Sequence, residues 1–335
     1  MERMKGMATA EQTVSLPQTN ALTKRASDRS SHSRSPATTR RRPWLAIALF
    51  IGPALIYYTV FVVYPLFATV YYSFHTIAPG GGQVTTTFVG LKNYQELFRD
   101  STFFLAVRNT LLWGFVGPIL EMCLATVLAF VVYYRVPFWR FYRVAWFTPI
   151  LVSGVIIGIV FRWIFNVDWG LVNVALRAVG LNALAVNWLG RLDTPIWVVI
   201  FVHLWATFGF SFVLLLAGLS AIPPELVEAA YIDGASRLQA IWRVMLPLLR
   251  PTFITVLILS FLGKMHAFNV VWALTNGGPL HYSETVATYM QKRAFSYNSL
   301  DLGYPSAMGV VWFGVTVIGV GLISRWLRSR SNDLN

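Results

Sequence analysis

Two ionisable side chains stand where water should not reach them, Glu121 inside the apolar stretch 105–134 and Lys264 inside the apolar stretch 251–274. A charge at such depth is costly and is kept for a partner or for a water-filled path. Two chemistries are open: a buried Lys264–Glu121 pair, or a lysine that faces a solute, an anionic one included. His266 and Asn269 follow Lys264 at i+2 and i+5, with Phe268 and Trp272 beside them. On one continuous helix they would set hydrogen-bonding groups and aromatic faces across the apolar layer. His266 has no second His or Cys near it, so no metal is assigned. There is no GxxxxGK[ST], HExxH or GxSxG, and Gly263-Lys264 lacks a preceding glycine-rich loop. Nucleotide hydrolysis and membrane-enzyme chemistry are therefore not expected of this chain.

The elements that must hold these residues are apolar. Of 335 residues, 56% are hydrophobic and 12% charged, with a mean hydropathy of +0.57, whereas soluble domains carry about 25% charged residues. A water-soluble globule is excluded, and the single Cys123 excludes a disulfide scaffold. Apolar spans are predicted at about 44–74, 105–134, 141–165, 196–219, 251–274 and 304–326, each read as one helix across a ~30 Å layer. Six spans place both termini on one side. That side holds 18 Lys/Arg, in the tail before Trp44, the loops 135–143 and 220–250 and the C-terminal end, against 7 on the other. Basic residues collect in the cytoplasm, so both termini are expected there. The net charge of +13 is thus topological, and a nucleic-acid partner is not indicated. Residues 1–43, rich in Ser, Thr and Arg, are expected to be a disordered cytoplasmic tail, with membrane lipid a suitable contact for Arg40-Arg41-Arg42. A bundle at 44–328 and a short tail at 329–335 complete the expected organisation, the first span serving as an uncleaved anchor.

The loop 220–250 does not read as a linker. Pro223-Pro224 suits a helix start, with Glu225 and Glu228 in its first turns and Leu226, Ala229 and Ala230 as an apolar stripe. Asp233-Gly234 breaks it, and a second segment, Ser236 to Met245, places Leu238, Ile241, Trp242 and Met245 on one side. The run Glu228-Ala229-Ala230-Tyr231-Ile232-Asp233-Gly234-Ala235, followed by Leu246-Pro247-Leu248-Leu249-Arg250-Pro251, resembles the signature loop of binding-protein-dependent ABC importer permeases. The resemblance covers nearly everything after Pro43 and narrows to the carbohydrate, maltose-type branch through Phe88 to Tyr94 with Arg108-Asn109-Thr110, Ala273 to Pro279, and Gly303 to Met308. Ile241 and Val244 stand where Phe and Ile are commoner in that family, and both changes keep the face apolar.

The resemblance implies an all-α, six-helix type I ABC importer permease with a cytoplasmic coupling helix, in the bacterial inner membrane. It implies that Glu228, Ala229, Ala230, Asp233, Gly234, Ala235, Leu246 and Pro247 engage a separate ATPase subunit. Two such subunits would hold ATP and Mg, a second permease subunit would complete the path, and an extracytoplasmic sugar-binding protein would deliver the solute; the chain itself would bind no cofactor. Related subunits contact sugar through segments matching the stripe Lys264, His266, Phe268, Asn269 and Trp272 and matching Trp205, Thr207, Phe210 and Ser211. Hydroxyls need fixed donors and acceptors, and a pyranose face stacks on aromatic rings. The alternatives are a permease for a sugar acid or a phosphorylated polyol, with Lys264 in the path, and an ion-coupled secondary transporter.

Overall fold

The computed structural model describes residues 44–80, 83–296 and 301–332. The tail expected at 1–43, with its arginine run, and residues 333–335 lie outside the described residues. The chain divides into two compact units, up to Thr59 and from Val60 onward. In the first, α1 (Trp44–Tyr58) is apolar throughout and contains Pro53. After a π turn at Thr59–Val63, the second unit runs through α2 (Tyr64–Tyr72), β1 (His75–Gly80), β2 (Gln83–Phe88), α3 (Lys92–Leu97), α4 (Ser101–Tyr133) and α5 (Trp139–Phe147). A 3₁₀ turn at Thr148–Leu151 leads to α6 (Gly154–Ile164), α7 (Leu171–Ala178) and α8 (Pro195–Ser220). Then come α9 (Pro224–Ile232), α10 (Arg237–Ala240), a π turn at Ile241–Met245, α11 (Leu246–Leu248) and α12 (Arg250–Met265). The last helices are α13 (Asn269–Leu274), α14 (Val286–Phe295) and α15 (Gly303–Asn332). The β1–β2 hairpin, with His75 opposite Phe88, departs from the all-helical expectation; its Thr85-Thr86-Thr87 run suits a pleated strand better than a helix.

Four helices are long and apolar enough to cross a membrane, within Ala48–Tyr72, Ser101–Tyr133, Pro195–Ser220 and Gly303–Arg325. Two bent pairs, Trp139–Leu151 with Gly154–Ile164 at 100° and Arg237–Leu248 with Arg250–Met265 at 67°, bring the number to six if each counts as one span. The sequence reading treats 141–165 and 251–274 as single helices, and the structure breaks both. In the first, Pro149 has no amide to donate, and the chain is extended at Val152 before α6 restarts. In the second, side chains take the carbonyls that would continue the helix. The His266 ring donates from Nδ1 to the Leu262 carbonyl at 2.9 Å. Trp312 Nε1 donates to the Met265 carbonyl at 3.0 Å. The next turn is thereby replaced by the non-helical residues His266 to Phe268 before α13.

Within the second unit, α4 packs against α5, α8, α12 and α14. Its 33 residues extend about 50 Å, and three apolar clusters form along it. Trp113 centres one with Val199, Val202 and Val271. Ala125 and Ala129 meet Phe212, Leu215 and Met245 toward the Tyr133 end, and Phe103 and Ala106 meet Phe261, Met265 and Met308 toward the Ser101 end. Between them lies a polar knot. Glu121 and Lys264 are 2% and 3% exposed, and the Lys264 ammonium donates to Glu121 Oε2. Ser260 donates to the same oxygen at 2.8 Å and Ser211 to Glu121 Oε1 at 2.5 Å. One carboxylate thus ties α4 to α8 and α12.

The Ser101 end of α4 is latched by the residues that carried the sequence motifs. Asp100 caps α4 by accepting from the Thr102 and Phe103 amides, and its second oxygen accepts from Tyr289 at 2.6 Å and Tyr304 at 2.5 Å. Partial burial opposes the charge on Asp100, but the tyrosine and amide hydrogen bonds outweigh it and hold the carboxyl below its ordinary value of 3.8. Asn93 donates to the Ser73 and His75 carbonyls, Asn109 to those of Tyr282 and Glu284, and Thr110 accepts from the Val286 amide. Gly277 sits at φ +75°, where a Cβ would lie 2.4 Å from Glu284 Oε2; that carboxylate receives both Lys292 and His281.

Two measurements check this account. Lys264→Met alone leaves Glu121 buried and unpaired and is expected to cost about 3–5 kcal/mol, while Lys264→Met with Glu121→Leu recovers most of it. Thermal melts of the solubilised chain, run as a double-mutant cycle, read this directly, and additive losses would contradict it. Because the folded-state pKa of Asp100 is depressed, its contribution is full above the unfolded value of 3.8 and is lost as pH falls through the folded one. Melting temperature should therefore drop more steeply below about pH 4 in the wild type than in Asp100→Asn; parallel curves would remove the role given to this carboxylate.

Candidate functional site

At the Tyr133 end of α4, the loop 224–248 forms a helix, a reversal and a second helix. Gly234 occupies φ +83° with open space around it, the left-handed conformation that closes a helix C-terminus. The Gly234 amide donates to Tyr231 O at 3.0 Å and the Ala235 amide to Ala230 O at 2.9 Å. Ser236 and Gln239 then make a reciprocal capping box that starts α10. Of the residues assigned to coupling, Glu228, Ala229, Asp233, Gly234 and Pro247 are exposed, and Ala230, Ala235 and Leu246 are half-buried.

The apolar side expected of Ser236 to Met245 is split. Met245 is buried and Ile241 half-buried against the α4–α8 cluster, whereas Leu238 and Trp242 face outward with Leu226 and with Ile232, which is 86% exposed. The π turn at Ile241–Met245 is the cause, since a five-residue turn rotates the following side chains away from the 3.6-residue stripe. Tyr134 ties the loop to α4. Its hydroxyl lies 3.3 Å from that of Tyr231 and 3.6 Å from Met245 Sδ, and Arg237 stands 5.7 Å over its ring. Burial first, and then the Tyr231 hydrogen bond, push the Tyr134 phenol above its ordinary range.

The second feature lies where the two broken helices meet. A cavity of about 330 Å³ is lined from α6 by Gly154 and Ile157, from α8 by His203, Ala206 and Thr207, and from the α12–α13 break by His266, Phe268 and Asn269. Trp272 stacks on Phe268, with ring centroids 5.2 Å apart at 26°. Thr207, His266, Phe268 and Asn269 are therefore brought to one cavity, with Trp272 reaching it only through its stack on Phe268. The others are not. Lys264 and Ser211 are turned away onto Glu121, Trp205 packs on Phe161 with centroids 5.1 Å apart, and Phe210 is exposed outside the lining. The cavity's polar groups are two imidazoles, a hydroxyl and an amide, with no Lys, Arg, Asp or Glu in its wall.

His203 was missed. It lines the cavity and meets the buried Trp113 edge-on at 4.7 Å, and the signal for it was available as an imidazole inside the apolar stretch 196–219. Among the described residues no group of three or more His, Cys, Asp or Glu could hold a metal ion. The site can offer hydrogen bonds and ring faces to an uncharged solute.

Comparison with known proteins fits this architecture. The family described as "Binding-protein-dependent transport system inner membrane component" matches residues 121–332. A probable ABC transporter permease protein, YurN of Bacillus subtilis, is 34% identical over 80% of this chain and 91% of its own length. The trehalose/maltose transport system permease protein MalF of Thermococcus litoralis is 33% identical over 79% of this chain and 88% of its own. The multiple sugar-binding transport system permease protein MsmF of Streptococcus mutans is 32% identical over 82% and 91%. Among solved structures, a bacterial ABC transporter involved in the import of the acidic polysaccharide alginate superposes with a TM-score of 0.74 at 23% identity, covering 86% of this chain and 96% of that one; this likeness concerns the fold. With the bent-helix bundle, the reversing loop and the family match over 121–332 in agreement, the chain belongs to the inner-membrane component family of binding-protein-dependent transport systems.

Proposed function

We propose that the chain is a permease subunit of an ATP-driven sugar importer and forms half of its translocation path. The observation that carries this reading is the uncharged, aromatic-rimmed cavity at the junction of α6, α8 and the α12–α13 break. Irregular backbone at membrane depth is tolerated where it is buried or lines a cavity, and a ring of His203, Thr207, His266 and Asn269 beside Phe268 is the chemistry that sugar hydroxyls and ring faces take. The curated relatives named for trehalose/maltose and multiple-sugar transport support a carbohydrate solute. An acidic solute is disfavoured because Lys264, the one lysine of α12, is spent on Glu121.

Coupling is assigned to the loop around Glu228, Ala229, Ala230, Asp233, Gly234 and Ala235, with Leu246 and Pro247. Its exposed Ile232, Leu238 and Trp242 suit a partner that covers them. In this reading that partner is one of two ATP-binding subunits, which hold ATP and Mg, a second permease subunit closes the path, and an extracytoplasmic sugar-binding protein delivers the solute. Both termini and the loop lie in the cytoplasm, where the excess of Lys and Arg falls. Nucleotide-driven closure moves the loop as a lever, and Tyr231 and Tyr134 pass the displacement to α4, a two-state change of packing.

ATPase activity of the reconstituted complex, measured with the binding protein and a panel of neutral and acidic sugars, tests the function. Stimulation by a neutral sugar is expected; stimulation confined to acidic ones would overturn the assignment of solute. Gly234→Pro cannot adopt φ +83° and loses the Gly234 amide bond to Tyr231, so it should abolish stimulation at normal subunit levels while leaving assembly intact. Asn269→Ala should raise the half-saturating sugar concentration in transport about tenfold, the effect of one lost hydrogen bond of about 1.4 kcal/mol; an unchanged value would remove Asn269 from the path.

A further inference from the structure

At the Tyr133 end of α4 and the Ser220 end of α8 there is a second cavity, of about 680 Å³, unconnected with the solute site by any shared lining residue. From α8 it is lined by the apolar Val213, Leu216 and Ala217, and from the turn before α5 and from α5 itself by Arg135, Trp139 and Arg143. Among the described residues no ion pair takes Arg135, Arg140 or Arg143, and no acid lines the cavity. Arg135 lies in the turn at φ +51° and stands 6.0 Å over the Trp139 ring. Beside the arginines, α5 exposes Phe138 just before its start and Phe141 and Val144 along it, at 77%, 66% and 66%, while Tyr142 and Trp146 stack on its inner side.

Each part of this arrangement has a counterpart in a lipid. Two unpaired guanidiniums recognise a phosphate through parallel N–H donors. Trp139 and Tyr133 lie where aromatic rings settle at the headgroup level, and the apolar wall runs back along α8 toward the hydrocarbon. The exposed Phe138, Phe141 and Val144 beside arginines give the first turns of α5, where the bent α5–α6 span begins, an amphipathic face suited to the membrane surface. Basic pockets between membrane helices take anionic headgroups for these reasons. We infer that the cavity between the ends of α4 and α8 is a binding site for one anionic phospholipid, its phosphate held by Arg135 and Arg143 and its acyl chain laid along Val213, Leu216 and Ala217. The site fixes the start of the bent α5–α6 span, and the inference stands whichever solute the permease carries.

Native mass spectrometry of the full chain in neutral detergent, given equal amounts of phosphatidylglycerol and phosphatidylcholine, tests it. The wild type is expected to retain phosphatidylglycerol at least tenfold over phosphatidylcholine. R135Q/R143Q should lose that preference, and R140Q, which removes a charge that stands 5.4 Å over the Trp139 ring but does not itself line the cavity, should keep it. Should the double variant fail to fold, R143Q alone and a melting-temperature rise of the wild type with phosphatidylglycerol, absent with phosphatidylcholine, give the same reading. Equal retention of both lipids, an undiminished preference in R135Q/R143Q, or an equal loss in R140Q would overturn the site. Displacement of the lipid by soluble glycerol phosphate would overturn it too, showing an anion site rather than a lipid one.

Discussion

A carboxylate in hydrocarbon must be answered on every lone pair, and the answer given to Glu121 organises the bundle. Its two oxygens receive Ser211 from α8, Ser260 and Lys264 from α12, so three helices share one satisfied network rather than three separate apolar contacts. Such a network adds less raw stability than an apolar core of the same volume, because the charges were expensive to desolvate. What it adds is specificity. Sliding α4 or α12 by a residue would separate the Lys264–Glu121 pair, and sliding α8 would take the Ser211 hydrogen bond from Glu121 Oε1, so the register of α4, α8 and α12 is set here together with the apolar clusters on either side.

From that point α4 works as a rod. Its Ser101 end is held by Asp100, Asn109 and Thr110 to the segments 281–289 and to Tyr304. Its Tyr133 end meets the reversing loop through Tyr134 and Tyr231. Close-packed elements transmit displacement because they have few discrete arrangements rather than a continuum. Glu121 and its partners lie between the two ends, about two helical turns from Trp113, which packs beside His203 at the cavity. The same lysine that joins the three helices is thereby kept out of the cavity wall, which carries no Lys, Arg, Asp or Glu.

How much of this was legible beforehand differs by element. The reversal at Gly234 was readable because helix starts, glycine turns and capping boxes are local chemistry, decided within a few residues. Glu121 and Lys264 announced themselves as ionisable groups in apolar stretches, but their pairing joins positions 143 apart in the chain, and no local pattern carries that distance. The stripe from Lys264 to Trp272 divides for the same reason: His266, Phe268 and Asn269 line the cavity, and Lys264, before the break, turns to Glu121.

The sequence by itself determined the membrane-embedded, helical class of the protein, its family, and the shape of its loop, since transfer free energy and turn chemistry are properties of short segments. Tertiary structure alone decided that 251–274 is two helices, because the carbonyl that would continue α12 is taken by Trp312, 47 residues away. It also decided that His203 faces a cavity and Lys264 does not. Those outcomes depend on which side chain reaches a buried group first, and only the packed chain brings the competitors together.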